Sequence, residues 1–202
     1  STDQSGGFMS LTANKGTATS SGAVVLGSAD AGDAGTSGYL TFKSGTTSNG
    51  NSGQFSLTTG SATSGKGGQF IMSVGSGNTG AGGDISLTAG ETTANTVVGG
   101  SVSVTGGAGT SSTAGQGGHL SLTGGAGTGG TGGFVSLTTG AGTATSTGSV
   151  VIKTPTSGSA GVSGRIAFST GNGQAGSSGM LTMSTGAATT GRGGSMTFSV
   201  GS

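Results

Sequence analysis

The sequence has no cysteine, no tryptophan, one proline, one tyrosine and one histidine in 202 residues. Without cysteine there is neither a thiol nucleophile nor a disulfide framework. A single proline (Pro155) among 51 glycines excludes collagen, which needs abundant proline and glycine at every third position. Six basic and five acidic residues leave a net charge of +1 with no basic run, so the usual footprint of a nucleic-acid binder is missing. No stretch approaches the roughly 18 consecutive apolar residues of a membrane helix. Leu, Ile, Val and Phe number only 32, a share that accompanies disorder when net charge is high, but here charge is too low to hold the chain open.

What is present is small. Gly, Thr, Ser and Ala make up 140 of the 202 residues. Such a composition leaves low-complexity disorder or a repeat fold, and the period decides between them. A short motif, small-Gly-x-apolar-x-apolar-polar, recurs as Gly-Gly-Phe-Met-Ser-Leu-Thr at 6–12, Ser-Gly-Gln-Phe-Ser-Leu-Thr at 52–58 and Gly-Gly-His-Leu-Ser-Leu-Thr at 117–123. Its anchoring glycine is Gly7, Gly22, Gly38, Gly53, Gly68, Gly83, Gly100, Gly118, Gly133, Gly148, Gly164, Gly179 and Gly194. The interval between these thirteen copies is 15 or 16 residues except on either side of Gly100, where it is 17 and 18. A disordered tract has no physical reason to keep this register.

Counting from each anchor as zero, +2 holds Met9, Val24, Leu40, Phe55, Phe70, Ile85, Val102, Leu120, Val135, Val150, Ile166, Leu181 and Met196. At +4 stand Leu11, Leu26, Phe42, Leu57, Met72, Leu87, Val104, Leu122, Leu137, Ile152, Phe168, Met183 and Phe198. Every one of these is apolar, and +3 and +5 are mostly Ser or Thr. Alternation of period two predicts an extended, half-buried strand with hydroxyls on its other face. The remainder of each copy is a glycine-bounded arm, as in Thr59–Gly68 and Thr185–Gly194. Its terminal glycines suggest turns with positive φ, and small residues such as Ala62 and Ala188 suggest a second strand beneath the first.

These features predict an all-β fold: a parallel β-solenoid of about 13 stacked coils, each of 15–18 residues, with a flattened two-strand cross-section. The whole chain, 1–202, is expected to form a single solenoid domain with the +2 and +4 columns as its core. At about 4.8 Å per strand, thirteen coils would extend roughly 60 Å. Longer turns are expected across 84–117, where the spacing widens. Neither end carries a polar helix or charged run to cap an open sheet edge, so the chain is expected to be a segment of a longer array or to stack end to end.

Candidate chemistry is sparse. His119 lies in the outward +1 column, where a lone histidine is ordinarily a solvated side chain. Asp3, Asp30, Asp33, Asp84 and Glu91 are the acidic residues, and none forms the facing pair that general acid–base work requires. Asp30 and Asp33 share a turn, but two carboxylates are few for a calcium site of six to eight oxygens. Gly75–Gly80 and Gly171–Gly176 match G-x-G-x-x-G, which chance alone produces about three times at this glycine content, and neither precedes a helix. Gly60–Lys66 reads as a phosphate loop until Gly67 replaces the required Ser or Thr. The six asparagines offer no N-glycosylation sequon. Catalytic, cofactor and metal residues are therefore all expected to be none. Phe8, Tyr39, Phe134 and Met180 stand in the outward column as candidate contact points.

The repeat Gly-Gly-x-apolar-Ser-apolar-Thr-Thr-Gly resembles the long Gly/Ser/Thr-rich arrays of large secreted surface and fibre proteins. That resemblance implies an extracellular or cell-surface structural role in a filament, fibre, stalk or adhesin. Its partners would be the chain itself or flanking repeats, with polysaccharide as a further class, and no catalytic residue comes with it. The chain also resembles the short-coil antifreeze β-solenoids that bind ice through flat Thr-x-Thr ranks. Here the corresponding face would be Ser56, Thr58, Ser86, Thr88, Ser103, Thr105, Ser121, Thr123, Ser136 and Thr138. That face is uneven, because Ser replaces Thr in its first column while Lys43 and Lys153 interrupt its second.

Overall fold

A computed structural model describes residues 7–18 and 20–201; Asp3 and Gly6, singled out above, lie outside them. The chain divides into two units, Ser1–Ser101 and Val102–Ser202. Among the described residues there is no helix and no β-strand. The solenoid expected from the sequence is therefore corrected: the repeats are present, but they do not stack into a parallel sheet.

The register of the repeat survives as a register of bends. In the first unit the chain bends at 17–18, 33–34, 48–50, 63–65, 78–80 and 94–96; in the second at 112–114, 128–130, 143–145, 159–160, 174–176 and 189–191. Each of the twelve bends lies between one apolar segment and the next anchoring glycine. The arm residues expected in a second strand belong instead to these reversals. Ala62 and Ala188 immediately precede bends, and a Cβ on Gly65 or Gly191 would lie 3.8 or 4.0 Å from them.

Backbone hydrogen bonds show why no sheet forms. The anchor N–H of Gly22, Gly68, Gly100, Gly118, Gly133 and Gly148 donates to the +7 carbonyl of the preceding copy: Asn14, Gly60, Gly90, Gly107, Gly125 and Gly140, at 2.8–3.5 Å. A parallel solenoid needs bonds that reach across one whole coil. The bonds here span about half of that, as from Gly68 back to Gly60. The stretch of chain they close is longer at Gly100 (back to Gly90) and Gly118 (back to Gly107), so the wider spacing is absorbed inside the arm. With its N–H used in this way, each of these six anchors is held against the end of the previous segment rather than above its beginning.

Packing repeats the same contact at all twelve junctions. A Cβ on Gly83 would come 2.7 Å from Val74 Cγ1; on Gly164, 2.9 Å from Thr154 Cγ2; on Gly68, 3.0 Å from Thr59 Cβ. Gly22, Gly38, Gly53, Gly100, Gly148, Gly179 and Gly194 meet their own +6 partners at 3.2–3.5 Å, and at Gly118 and Gly133 that partner is itself glycine. Ser28 Oγ also donates to the Gly38 carbonyl at 2.8 Å. At Gly83 and Gly164 the previous copy leaves no room for a side chain; at most other anchors a Cβ would crowd it, and at Gly53 and Gly194 a Cβ would make an ordinary contact. Positive φ, the expected reason for turn glycines, occurs among the described residues only at Gly50, Gly80 and the non-glycine Thr96.

No described residue is buried, so the expected core of +2 and +4 side chains is corrected as well. Apart from Met9 at 95%, these residues are 45–78% exposed. Alternation still leaves its mark, because the large apolar residues of the outward +1 and +3 columns (Phe8, Val25, Tyr39, Ile71, Phe134, Val151, Met180) are 71–94% exposed. The least exposed positions are small residues: Ala13, Gly16, Ala89, Gly124, Thr139, Gly142, Thr154 and Ser157. Every one of them stands at +6 or +9, in an arm.

Candidate functional site

Three places offer groups for chemistry: the hydroxyl column, the arms with their few charges, and a depression near the single proline. All ten hydroxyl candidates, Ser56, Thr58, Ser86, Thr88, Ser103, Thr105, Ser121, Thr123, Ser136 and Thr138, are exposed. Within one copy, Ser136 Oγ and Thr138 Oγ1 lie 3.5 Å apart on a common side, as residues two apart on an extended chain should. The others make no such pair among the described residues. Ranks running from copy to copy do not arise, because the copies are not stacked.

The arms hold hydroxyls that brace the bends. The backbone N–H groups of Asn49, Ala94 and Thr113 donate to Thr47 Oγ1, Thr92 Oγ1 and Ser111 Oγ at 3.2–3.4 Å. Each is a local side-chain-to-backbone bond of the kind that makes Ser and Thr turn formers. Asp33 lies inside a tight turn closed by the Gly35 N–H on the Gly32 carbonyl at 3.3 Å, and Asp30 precedes it. No group of three or more His, Asp or Glu residues that could hold a metal ion occurs among the described residues. His119 is exposed. The G-x-G-x-x-G matches contain bends at 78–80 and 174–176, with no helix after them. The arm from Gly60 to Lys66 is closed by the Gly68 bond.

In the second unit, Thr154, Pro155, Thr156, Ser157, Val162 and Gly201 border an open depression of about 970 Å³. Its walls carry hydroxyls and no titratable group. The repeat pattern gave no sign of it beyond the lone proline, which cannot donate a backbone hydrogen bond. The Phe42 and Phe55 rings, +4 of one copy and +2 of the next, lie 6.4 Å apart between centroids, tilted by 33°. That pair shows adjacent apolar segments meeting across an arm.

No protein-family model matches the chain, and no curated protein or solved structure matches it either. Among the described residues, no helix is long and apolar enough to cross a membrane.

Proposed function

We propose that the protein is a structural repeat chain of an extracellular or cell-surface assembly (a filament, fibre, stalk or adhesin) and has no catalytic role. One observation carries the reading. The chain exposes 19919 Å², whereas a compact monomer of its 18.3 kDa mass would expose about 8,100 Å². A monomer gains little from apolar side chains that stay in water, each of which yields about 1.5–3 kcal/mol when buried. The regular spacing of these unburied positions points to burial against something equally regular.

The candidate partners are further copies of the chain or flanking repeats of the same polypeptide, with polysaccharide as the other class. The hydroxyl-rich, charge-poor surface suits an extracellular matrix, where long repeat chains pack without electrostatic repulsion. Negative-stain electron microscopy over a range of concentrations tests the reading. Filaments or lateral bundles are expected to form as concentration rises. Single particles at every concentration, confirmed as monomers by sedimentation, would overturn it.

A second reading, ice binding through the hydroxyl column, is kept for one reason. All ten candidate hydroxyls are exposed, and Ser136 and Thr138 share a side. Thermal hysteresis and faceted ice growth in dilute protein would support it, and freezing behaviour equal to that of an inert protein would dismiss it.

A further inference from the structure

Two faces of the extended segments compete as the assembling surface: the apolar +2/+4 columns and the hydroxyl +3/+5 columns. We infer that the +2/+4 columns are covered by the same columns of a second copy of this chain. This rests on the structural-assembly reading above and adds to it the face and the occupant.

Surface area argues for the occupant first. The excess over a compact monomer is about 12,000 Å², shared by arms and segments, while an ordinary specific interface buries about 1,200–2,000 Å² in total and an obligate homodimer about 2,000–5,000 Å². A small ligand or a compact protein partner covers a fraction of it. A second copy brings the same number of segments at the same spacing, and further copies extend the cover.

Charge argues next. No member of the +2 and +4 columns is charged, so two such faces meet without repulsion and without burying an unpaired ion. Charge sits elsewhere on the segments, at Lys43, Asp84, Lys153 and Arg165 in the +1 and +5 columns.

Side-chain chemistry disfavours a polysaccharide on this face. Only Phe42, Phe55, Phe70, Phe168 and Phe198 in these columns are aromatic, and the rest are aliphatic or Met. Aliphatic columns pack against aliphatic columns, whereas a sugar polymer wants aromatic platforms and hydrogen-bond partners. The segment pattern is also palindromic: small at 0, apolar at +2 and +4, small at +6 in most copies. A two-fold, isologous contact therefore sets apolar against apolar whichever way the second chain runs.

The test uses two variants of the full chain with identical added charge. One carries Leu120→Lys, Leu122→Lys, Val135→Lys and Leu137→Lys; the other carries Ser121→Lys, Thr123→Lys, Ser136→Lys and Thr138→Lys. Association is read by sedimentation velocity as the concentration giving half-assembly. The apolar-face variant is expected to need on the order of 100-fold more protein, and the hydroxyl-face variant less than about threefold more. Equal losses in both, or a larger loss in the hydroxyl-face variant, would overturn the inference while leaving self-assembly intact. A wild-type chain that stays monomeric at every concentration would overturn this inference together with the structural reading.

Discussion

Arms and segments divide the work of this chain in an unusual way. The arms are built mainly of Gly, Ser, Thr and Ala, yet they hold the backbone hydrogen bonds, the close glycine contacts and all the least exposed residues. The segments hold the large apolar side chains, yet from +1 to +5 no backbone group of any copy enters a backbone–backbone hydrogen bond among the described residues. In an ordinary domain the apolar segments would be the buried part and the arms the solvated part. Here the small residues close the chain on itself locally, and the large ones are left open to solvent at a fixed spacing. A chain organised in this way uses its internal contacts to set register and leaves its hydrophobic surface exposed.

The comparison breaks most sharply at glycines. Gly124→Ala would drive a Cβ into the carbonyl of Gly133, whereas its neighbour Gly125 has open space. The first change is expected to destabilise that junction by about 1–3 kcal/mol, the scale of overpacking. Gly125→Ala is expected to leave it unchanged or slightly stronger. Amide exchange of Gly133, whose N–H donates to the Gly125 carbonyl at 2.8 Å, reads the difference.

Thr96 offers a change in the opposite direction. Its φ of 63° places a β-branched residue in the left-handed region. Thr96→Gly is expected to stabilise the Gly90–Gly100 arm by about 1 kcal/mol, seen as slower exchange of the Gly100 amide. A smaller effect belongs to the bracing hydroxyls. Thr92→Ala removes the acceptor of the Ala94 N–H, which can turn to water instead, so a loss of about 0.5 kcal/mol is expected. Smallest of all is the response to salt. Because the apolar columns carry no charge, raising ionic strength from low to physiological levels is expected to shift half-assembly less than about threefold. A steep salt dependence would mean that Lys43, Asp84, Lys153 and Arg165 control association.

Much of this organisation is legible in the sequence. The thirteen anchors, their spacing and the alternation of Leu57 with Ser56 and Thr58 reveal the period and the two unequal faces. The closure is not legible. Gly-x-apolar-x-apolar reads the same whether the Gly68 N–H reaches across a whole coil or turns back to Gly60. Only the choice of acceptor separates a stacked coil from a folded-back arm, and no side chain near either carbonyl marks it. Glycine suggests positive φ, yet the anchors have none; what they share is close approach to the end of the previous segment, tight enough at Gly83 and Gly164 to exclude a Cβ, and no local pattern announces that contact. The hydroxyl column is visible in the sequence but its arrangement is not, because ranks across copies depend on stacking. The depression around Pro155 is lined by arm residues, where the repeat pattern is loosest, so the proline is its only sign.

Residue-resolved hydrogen exchange, on dilute and on concentrated protein, tests the central division between arms and segments most directly. At dilution the anchor amides of Gly100, Gly118 and Gly133 are expected to exchange more slowly than the segment amides of Leu120, Ser121, Leu122 and Thr123. On concentration into the assembled state, the segment amides should become protected too. Segment amides already protected in the dilute monomer, with anchor amides exchanging freely, would contradict the account, because the apolar segments would then be paired inside a single chain.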